Sequence, residues 1–284
     1  MTDKILALVD GSAYSESVCH HAAWIAGRLG ADVDVMHVLG RREGGTPQNL
    51  SGTLSLGARS ALLEELATAD EQRARLAQAR GRAILDDAQR ILRAENVGTA
   101  TPHLRRGDLL DATRDIETDY RAIVIGKRGE GADFAIGHLG SNLERIARAT
   151  RVPVFVASRG FRPIGKVLVA FDGSASAGRA VERMAQSAVF DGLSVTMLHV
   201  DNGRHPLGAD LERAARILRS AGMDTETRIV PGEPEAALQT VVEDEGFDLL
   251  VMGAYGHSRI RNLIIGSTTT AMIQSVRIPV LLYR

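Results

Sequence analysis

The chain has 284 residues, of which 44% are hydrophobic, and its 34 basic and 35 acidic side chains give a net charge of -1. This length is sufficient for two domains of ordinary size, each with its own apolar core. Because the charge is balanced, nothing in the composition favours nucleic acid or an anionic membrane surface, and neither is an expected partner.

The chain leads directly into an apolar, strand-like run from Ile5 to Val9, without a basic leader or a small-residue cleavage site. No apolar stretch approaches the roughly 18 residues that suggest a membrane-spanning helix. We therefore expect a cytoplasmic protein. A single cysteine, Cys19, allows no internal disulfide, and its apolar neighbours predict that it packs on a buried helix face.

The sequence repeats itself. Residues 5–12 recur as residues 167–174, an offset of 162, and the same offset carries His37 onto His199. Later markers match at offsets of 125 to 127, so the first copy contains roughly 36 extra residues between its second and third strands. Both histidines lie singly in apolar strands, which favours a structural role over metal binding.

The repeat predicts a first domain over residues 1–158 and a second over residues 166–284, separated by a short segment with glycine and proline. The extra residues of the first domain form a helical insertion at about 40–80. Its beginning resembles a loop, and the composition from Ser60 to Glu95 predicts one or two helices. A solvated arm or lid without a chemical role is the simplest interpretation of this insertion.

Within each copy, short β-rich runs alternate with helical periods. This alternation predicts an α/β protein whose parallel sheet is covered by helices on both faces. The first helix of the second copy has an apolar stripe that should face the sheet, formed by Ala177, Ala180, Val181, Met184, Ala185 and Ala188.

A glycine-rich segment follows an apolar strand near the end of the second copy. The strand stops at Gly253; Gly256 follows after two residues, and Gly266-Ser267 after nine more, before a hydroxyl-rich helix start. Glycine allows a ligand to approach the backbone closely, and a helix start leaves several N–H groups unpaired. This pattern predicts an anion site, although a tight connection without a ligand would also explain it.

This spacing resembles the nucleotide-binding branch of the universal stress protein family. The resemblance implies two tandem, doubly wound parallel sheets of five strands each, in the order 3-2-1-4-5, which is the adenine nucleotide alpha hydrolase-like fold. It also implies ATP binding, with or without Mg²⁺. In such sheets the ligand lies beyond the carboxyl ends of the strands, at the point where the strand order reverses.

The resemblance assigns the second-copy site position by position: Ala170, Phe171, Asp172, Val200, Met252, Gly253, Gly256, Gly266, Ser267, Thr268 and Thr269. Asp172 would accept a hydrogen bond from the adenine amino group, or would instead bond to the backbone of its own turn. His257, Arg259 and Arg261 lie between the glycines, where they would meet phosphate oxygens or remain solvated on a packed connection.

The first copy departs from this pattern. Its corresponding residues are Asp10, Gly126, Gly129, Gly140 and Ser141, but ten residues rather than nine separate Gly129 from Gly140. Lys127 and Arg128 stand between the first two glycines. One extra residue changes the direction of the glycines relative to the helix start, so ATP is expected to bind the second copy more tightly.

The chain contains neither a G-x-x-x-x-G-K-[ST] phosphate loop nor a G-x-G-x-x-G after its first strand, and Ser267 has no sequence-evident histidine and acid partners. No catalytic or metal-ligating residue is assigned. The leading hypothesis is an ATP-binding regulatory protein of the stress response. A slow Mg-dependent ATPase and a scaffold that binds no nucleotide are the alternatives.

Each copy ends in an apolar strand-like run, at 152–157 and at 278–283. Each run would be a sheet edge, and an exposed apolar edge favours aggregation unless it is paired or covered. We therefore predict that the two copies pack through these strands about a pseudo-twofold axis, as dimers of the family do between separate chains. This intramolecular pseudo-dimer leaves open whether the whole chain also forms a homodimer.

Overall fold

The computed structural model describes residues 3–40, 56–129, 140–203, 207–254 and 267–284, with the backbone alone for 56–63 and 267. The first half consists of β1 (Lys4–Leu8), α1 (Ser15–Leu29), β2 (Asp32–Leu39), α2 (Leu56–Ala94), β3 (Ala100–Arg106), α3 (Leu109–Arg114), β4 (Ala122–Gly126), α4 (Ser141–Ala149) and β5 (Val154–Ala157). The second half consists of β6 (Lys166–Ala170), α5 (Ala175–Ala185), β7 (Ser194–Asp201), α6 (Gly208–Ser220), β8 (Asp224–Pro231), α7 (Pro234–Glu245), β9 (Leu249–Gly253), α8 (Ser267–Ser275) and β10 (Val280–Tyr283).

The strands form one ten-stranded sheet in the order β3-β2-β1-β4-β5-β10-β9-β6-β7-β8. Neighbouring strands are parallel within each half, and β5 and β10 are antiparallel. Counted from its outer edge, each half therefore places its third, second, first, fourth and fifth strands in turn. The α/β class and its parallel sheets are confirmed. Because β5 and β10 run in opposite directions, the strands of the first half point one way and those of the second half point the other. Their carboxyl ends therefore lie at opposite ends of the sheet, measured along the strands.

The terminal strands of the two halves pair directly, as the sequence predicts. Val156 lies opposite Val280, and Phe155 lies opposite Leu281. The side chains of β5 and β10 are buried, so each strand covers the edge that the other would expose. An antiparallel pair of equivalent strands is the arrangement that a twofold relation between the halves requires.

Helices cover both faces of the sheet, and the alternation of buried residues along each strand divides the core into two layers. In β1, for example, Ile5 and Ala7 belong to the layer under α1, whereas Leu6 and Leu8 belong to the layer that includes residues of α4. Both layers contain residues from both halves of the chain. The halves therefore share a continuous core as well as a continuous sheet.

The insertion of the first half contributes to a single helix, α2, of 39 residues. A helix of this length extends about 58 Å, about twice the length of the strand it follows. Its carboxyl-terminal part packs on the sheet: a Cβ built on Gly81 would lie 2.7 Å from Leu104 Cδ1 and 3.0 Å from His37 Cδ2. Towards its amino terminus the side chains become exposed or half-exposed, and Leu76 is 70% exposed.

The predicted apolar stripe of α5 is present up to Ala185, with Ala177, Ala180, Val181 and Met184 buried against the core. The prediction was wrong for Ala188, which is exposed and lies in a 3₁₀ turn, Ala188–Phe190. The Ser187 side chain accepts a hydrogen bond from the Val189 N–H and begins this turn, which interrupts the helical register. No helix in the described parts of the chain is long and apolar enough to cross a membrane.

Candidate functional site

The second half forms a crevice where β6, β7 and β9 end. Ala170 of β6 pairs with Leu198 of β7 on one side and with Met252 of β9 on the other. Beyond β7 the next strand of the sheet is β8, and beyond β9 it is β10. The strand order therefore reverses between β6 and β9, and parallel α/β sheets bind ligands at such a point.

Asp172 lies at this crevice, exposed to solvent in the turn that follows β6. Its Oδ1 accepts a hydrogen bond from the Ser174 N–H at 2.9 Å, which is the turn contact that the sequence left as an alternative. Gly173 has a φ of 71°, a left-handed conformation that favours glycine. A Cβ built on Gly173 would lie 2.9 Å from Leu207 Cδ1, so the residue before α6 packs against this turn.

The residues beside Asp172 are apolar, and a histidine makes a hydrogen bond to the backbone of one of them. Phe171 and Val200 are buried, and the Phe171 carbonyl accepts a hydrogen bond from His199 Nδ1 at 3.1 Å. In the first half His37 makes the equivalent bond to the Val9 carbonyl at 2.8 Å. In each half the histidine therefore connects the second strand of that half to the residue that follows its first strand. Within the described ranges no group of three or more His, Cys, Asp or Glu side chains could hold a metal ion.

Gly253 ends β9 at a point of very close packing. A Cβ built on it would lie 2.5 Å from Ser176 Oγ and 2.9 Å from the Ala177 backbone nitrogen. The Gly253 carbonyl accepts a hydrogen bond from Thr269 Oγ1 at 3.2 Å. The end of β9 thus contacts both the start of α5 and the first turn of α8.

The remaining predicted residues of the second-half motif are not all described. Thr268 is half-exposed and Thr269 is buried in the first turn of α8, where Ser267 is the first residue. Gly256, Gly266 and the span 257–265, which contains the candidate cations His257, Arg259 and Arg261, lie outside the described residues.

We expect Gly253→Ala to destabilise the protein by about 1–3 kcal/mol, because the added methyl group overpacks a site bounded by backbone. Gly178→Ala is the matched control, since a Cβ there meets nothing within 4 Å. In the interior of α5 this alanine should stabilise by about 0.5–1 kcal/mol. Urea denaturation measures both changes, and a Gly253→Ala variant as stable as the wild type would contradict the close packing.

The corresponding residues of the first half pack on one another. Asp10 Oδ1 accepts a hydrogen bond from the Ser12 N–H at 3.0 Å, and a Cβ built on Gly129 would lie 2.7 Å from Asp10 Oδ2. The Gly140 N–H donates to the Lys127 carbonyl at 3.4 Å. The loop from Gly126 to Gly129 therefore contacts both the turn after β1 and the residue before α4.

A difference that sequence reasoning missed lies opposite the first glycine of each motif. A Cβ built on Gly126 would lie 2.7 Å from Tyr14 Cβ, whereas the equivalent position opposite Gly253 is Ser176. Tyr14 and Ser176 are related by the repeat offset of 162 residues, so aligning the copies beyond the glycines could have revealed this contrast. The first half carries a much bulkier side chain at this contact.

Comparison with known proteins follows the same division of the chain. The model of the universal stress protein family matches residues 1–158 and again residues 163–284. Universal stress protein Slr1230 from Synechocystis sp. is 37% identical over 285 residues, covering 99% of each chain. Universal stress protein MJ0577 from Methanocaldococcus jannaschii is 30% identical over 74 residues, which cover 26% of this chain and 46% of that protein.

A solved structure shows the same architecture. The crystal structure of a universal stress protein from Archaeoglobus fulgidus DSM 4304 matches with a TM-score of 0.73 at 20% sequence identity, covering 99% of this chain and 96% of that one. The chain described here belongs to the universal stress protein family, and it carries two copies of the family domain in tandem.

Proposed function

We propose that this chain binds ATP in the crevice of its second half and acts as a nucleotide-dependent regulatory protein of the stress response. The observation that supports this most strongly is the convergence of three strand ends and the start of α8 at a reversal of strand order. The start of α5 and the start of α8 are far apart in sequence, yet both contact Gly253 at the end of β9. A tight connection within either segment does not require this.

The polarity of the crevice suggests how the nucleotide is oriented. Asp172 carries a carboxylate that would repel phosphate, so the adenine belongs beside it, with its amino group donating to the carboxylate. Ala170, Val200 and Met252 supply apolar surface for the base. The phosphates belong at the first turn of α8, where backbone N–H groups and the helix dipole favour an anion.

The threonines at the start of α8 divide into two roles in this proposal. Thr269 donates its hydroxyl hydrogen to the Gly253 carbonyl, so we assign it the task of holding α8 against β9. Thr268 and the backbone N–H groups are assigned to the phosphates. Gly256 and Gly266 are assigned to the phosphates through the family motif alone.

We favour regulation by ATP occupancy over rapid hydrolysis. Water attack on a bound triphosphate needs a residue that positions or deprotonates the water. The sequence offers no candidate for this role beyond His257, which lies outside the described residues. His199 is unsuited, because its ring is buried and its Nδ1–H donates to the Phe171 carbonyl. Phosphate release from ATP and Mg²⁺ at about 1 per second or faster would contradict this choice and favour an enzyme.

The proposal is tested by Asp172→Asn, with Asp10→Asn as the matched control in the first half. Asparagine keeps an oxygen that can accept the Ser174 N–H, so the turn is preserved, but it replaces one acceptor with a donor. In a calorimetric titration with ATP we expect the Kd of Asp172→Asn to rise about tenfold or more, which corresponds to about 1.4 kcal/mol. Asp10→Asn should change the Kd by less than about twofold.

Two other outcomes would contradict parts of the proposal. Equal losses in both variants would contradict the assignment of the site to the second half. Wild-type protein that neither retains adenine nucleotide on purification nor gains thermal stability with ATP would contradict nucleotide binding, and would favour a scaffold.

A further inference from the structure

Lys127 connects the two halves of the chain. It stands between Gly126 and Gly129 in the first-half glycine loop, and it is only 8% exposed. Its ammonium group donates a hydrogen bond to the carbonyl of Val276, which belongs to the second half. Burial and the nearby Arg128 lower the pKa of this amine to about 8. The corresponding residue of the second half is Ala254, which cannot make such a bond.

The sheet topology explains why this contact exists. Because β5 and β10 are antiparallel, the carboxyl end of β4 lies near the amino end of β10, where the chain arrives from α8. Val276 continues the hydrogen bonding of α8, since its N–H donates to the Met272 carbonyl at 3.0 Å. The Val276 carbonyl is therefore at the negative end of the helix dipole, where a buried cation is favourable.

A reciprocal contact occurs at the opposite end of the sheet, measured along the strands. Arg284, which follows β10, donates from Nη1 to the Ala149 carbonyl at 3.3 Å, at the end of α4. Each half thus places a cation at the carboxyl end of the other half's last helix. The two contacts differ in burial: Lys127 is enclosed, whereas Arg284 is exposed.

The loop that carries Lys127 is itself held in place. Gly129 packs against the Asp10 carboxylate, and Gly140 donates its N–H to the Lys127 carbonyl. At the other end of α8, Thr269 bonds to the Gly253 carbonyl. The helix is therefore fixed near its start by a residue of its own half and at its end by a residue of the first half.

We propose that Lys127 is a positioning residue for the second-half nucleotide site: it fixes α8 from its carboxyl end and so makes nucleotide binding in the second half depend on the first-half glycine loop. This inference rests on the proposed ATP site. A helix of nine residues is a rigid rod of about 13 Å, so a shift at one end displaces the N–H groups at the other. In this chain the first-half loop therefore holds in place the helix that binds the ligand of the second half.

The test uses Lys127→Met, which keeps the apolar stem and removes the ammonium group, in the full chain. Amide hydrogen exchange is measured first, without nucleotide. We expect exchange in α8 to accelerate about tenfold, because the end of the helix loses its partner. In a calorimetric titration, the ATP Kd should then rise about fivefold to tenfold.

Arg284→Met is the matched control, since it removes the reciprocal cation from α4. It should accelerate exchange in α4 and change the ATP Kd by less than about twofold. If it weakened ATP binding as much as Lys127→Met does, a general loosening of the interface would be the cause and the inference would be overturned. If Lys127→Met does not fold, Lys127→Gln, which keeps a shorter neutral donor, takes its place with a smaller expected change in the same direction.

The two measurements separate this inference from the proposed function. Unchanged exchange in α8 of the Lys127 variant overturns the inference whether or not ATP binds. Accelerated exchange in α8, together with no ATP binding by the wild-type protein, contradicts the proposed function and leaves the contact as a purely structural link.

Discussion

Gly266→Val is expected to weaken ATP binding about 100-fold or more, which corresponds to about 2.8 kcal/mol. In the family motif this glycine lies directly before the hydroxyl-bearing start of α8. In the proposed site the isopropyl group of valine would occupy space that ligand oxygens need, and a β-branched residue disfavours a positive φ. The effect should be large because, in the proposed site, the phosphate contacts at the helix start all depend on that approach.

Gly140→Val in the first half is the matched control. Gly140 has φ of -56° and ψ of 127°, which other residues adopt readily, and a Cβ there makes ordinary contacts of 3.5 to 3.7 Å. We expect its ATP Kd to change by less than about threefold, with both variants folded by circular dichroism. Loss of binding in Gly140→Val together with normal binding in Gly266→Val would show that the site is in the first half.

Acid should destabilise the protein through His21. This residue of α1 is fully buried, with Nδ1 2.7 Å from the Ser17 carbonyl, and its ring packs between Phe155 and Phe161. Its Nε2 is buried and has no hydrogen-bond partner within the described residues. Burial, opposed by the Ser17 carbonyl and assisted by the charge of His20, lowers the pKa of His21 from 6.5 to about 4.

The sign of the effect follows from where the proton binds. Between pH 6.5 and about 4 the unfolded chain takes up a proton at His21 and the folded protein does not, so stability falls as the pH falls. The complete difference is about 3 kcal/mol, and about 2 kcal/mol of it should be lost between pH 7 and pH 5. Chemical denaturation at the two pH values measures this loss.

His21→Leu should remove this part of the pH dependence, because leucine cannot take up the proton in either state. His20→Asn is the control on the same helix: His20 is half-exposed and bonds to Glu95 through Nδ1 at 2.8 Å. It should leave the loss between pH 7 and pH 5 in place. An undiminished loss in His21→Leu would show that other groups govern acid stability.

Local and repeated signals in the sequence were sufficient for the fold class and the two copies, whereas the expected strand order came from the resemblance to the family. Alternating apolar runs and helical periods predicted the α/β fold, and the offset of 162 residues identified two copies. The apolar terminal runs predicted the pairing of β5 with β10, since two exposed edges of this kind are unfavourable in water. Glycine spacing predicted where a ligand would bind, but it contains no information about which residues surround each glycine.

Only the tertiary structure decided which contacts distinguish the two copies. Tyr14 against Gly126, Asp10 against Gly129 and Lys127 against Val276 are contacts between residues that are far apart in sequence. Periodicity along a chain reports which face of a strand or helix is apolar, and it carries no information about which distant backbone that face meets. The direction of β10 against β5 determines the contact between Lys127 and Val276, because it places the carboxyl end of β4 beside the end of α8. The motif therefore follows from the sequence, whereas the contact between the two halves at Lys127 follows from the fold.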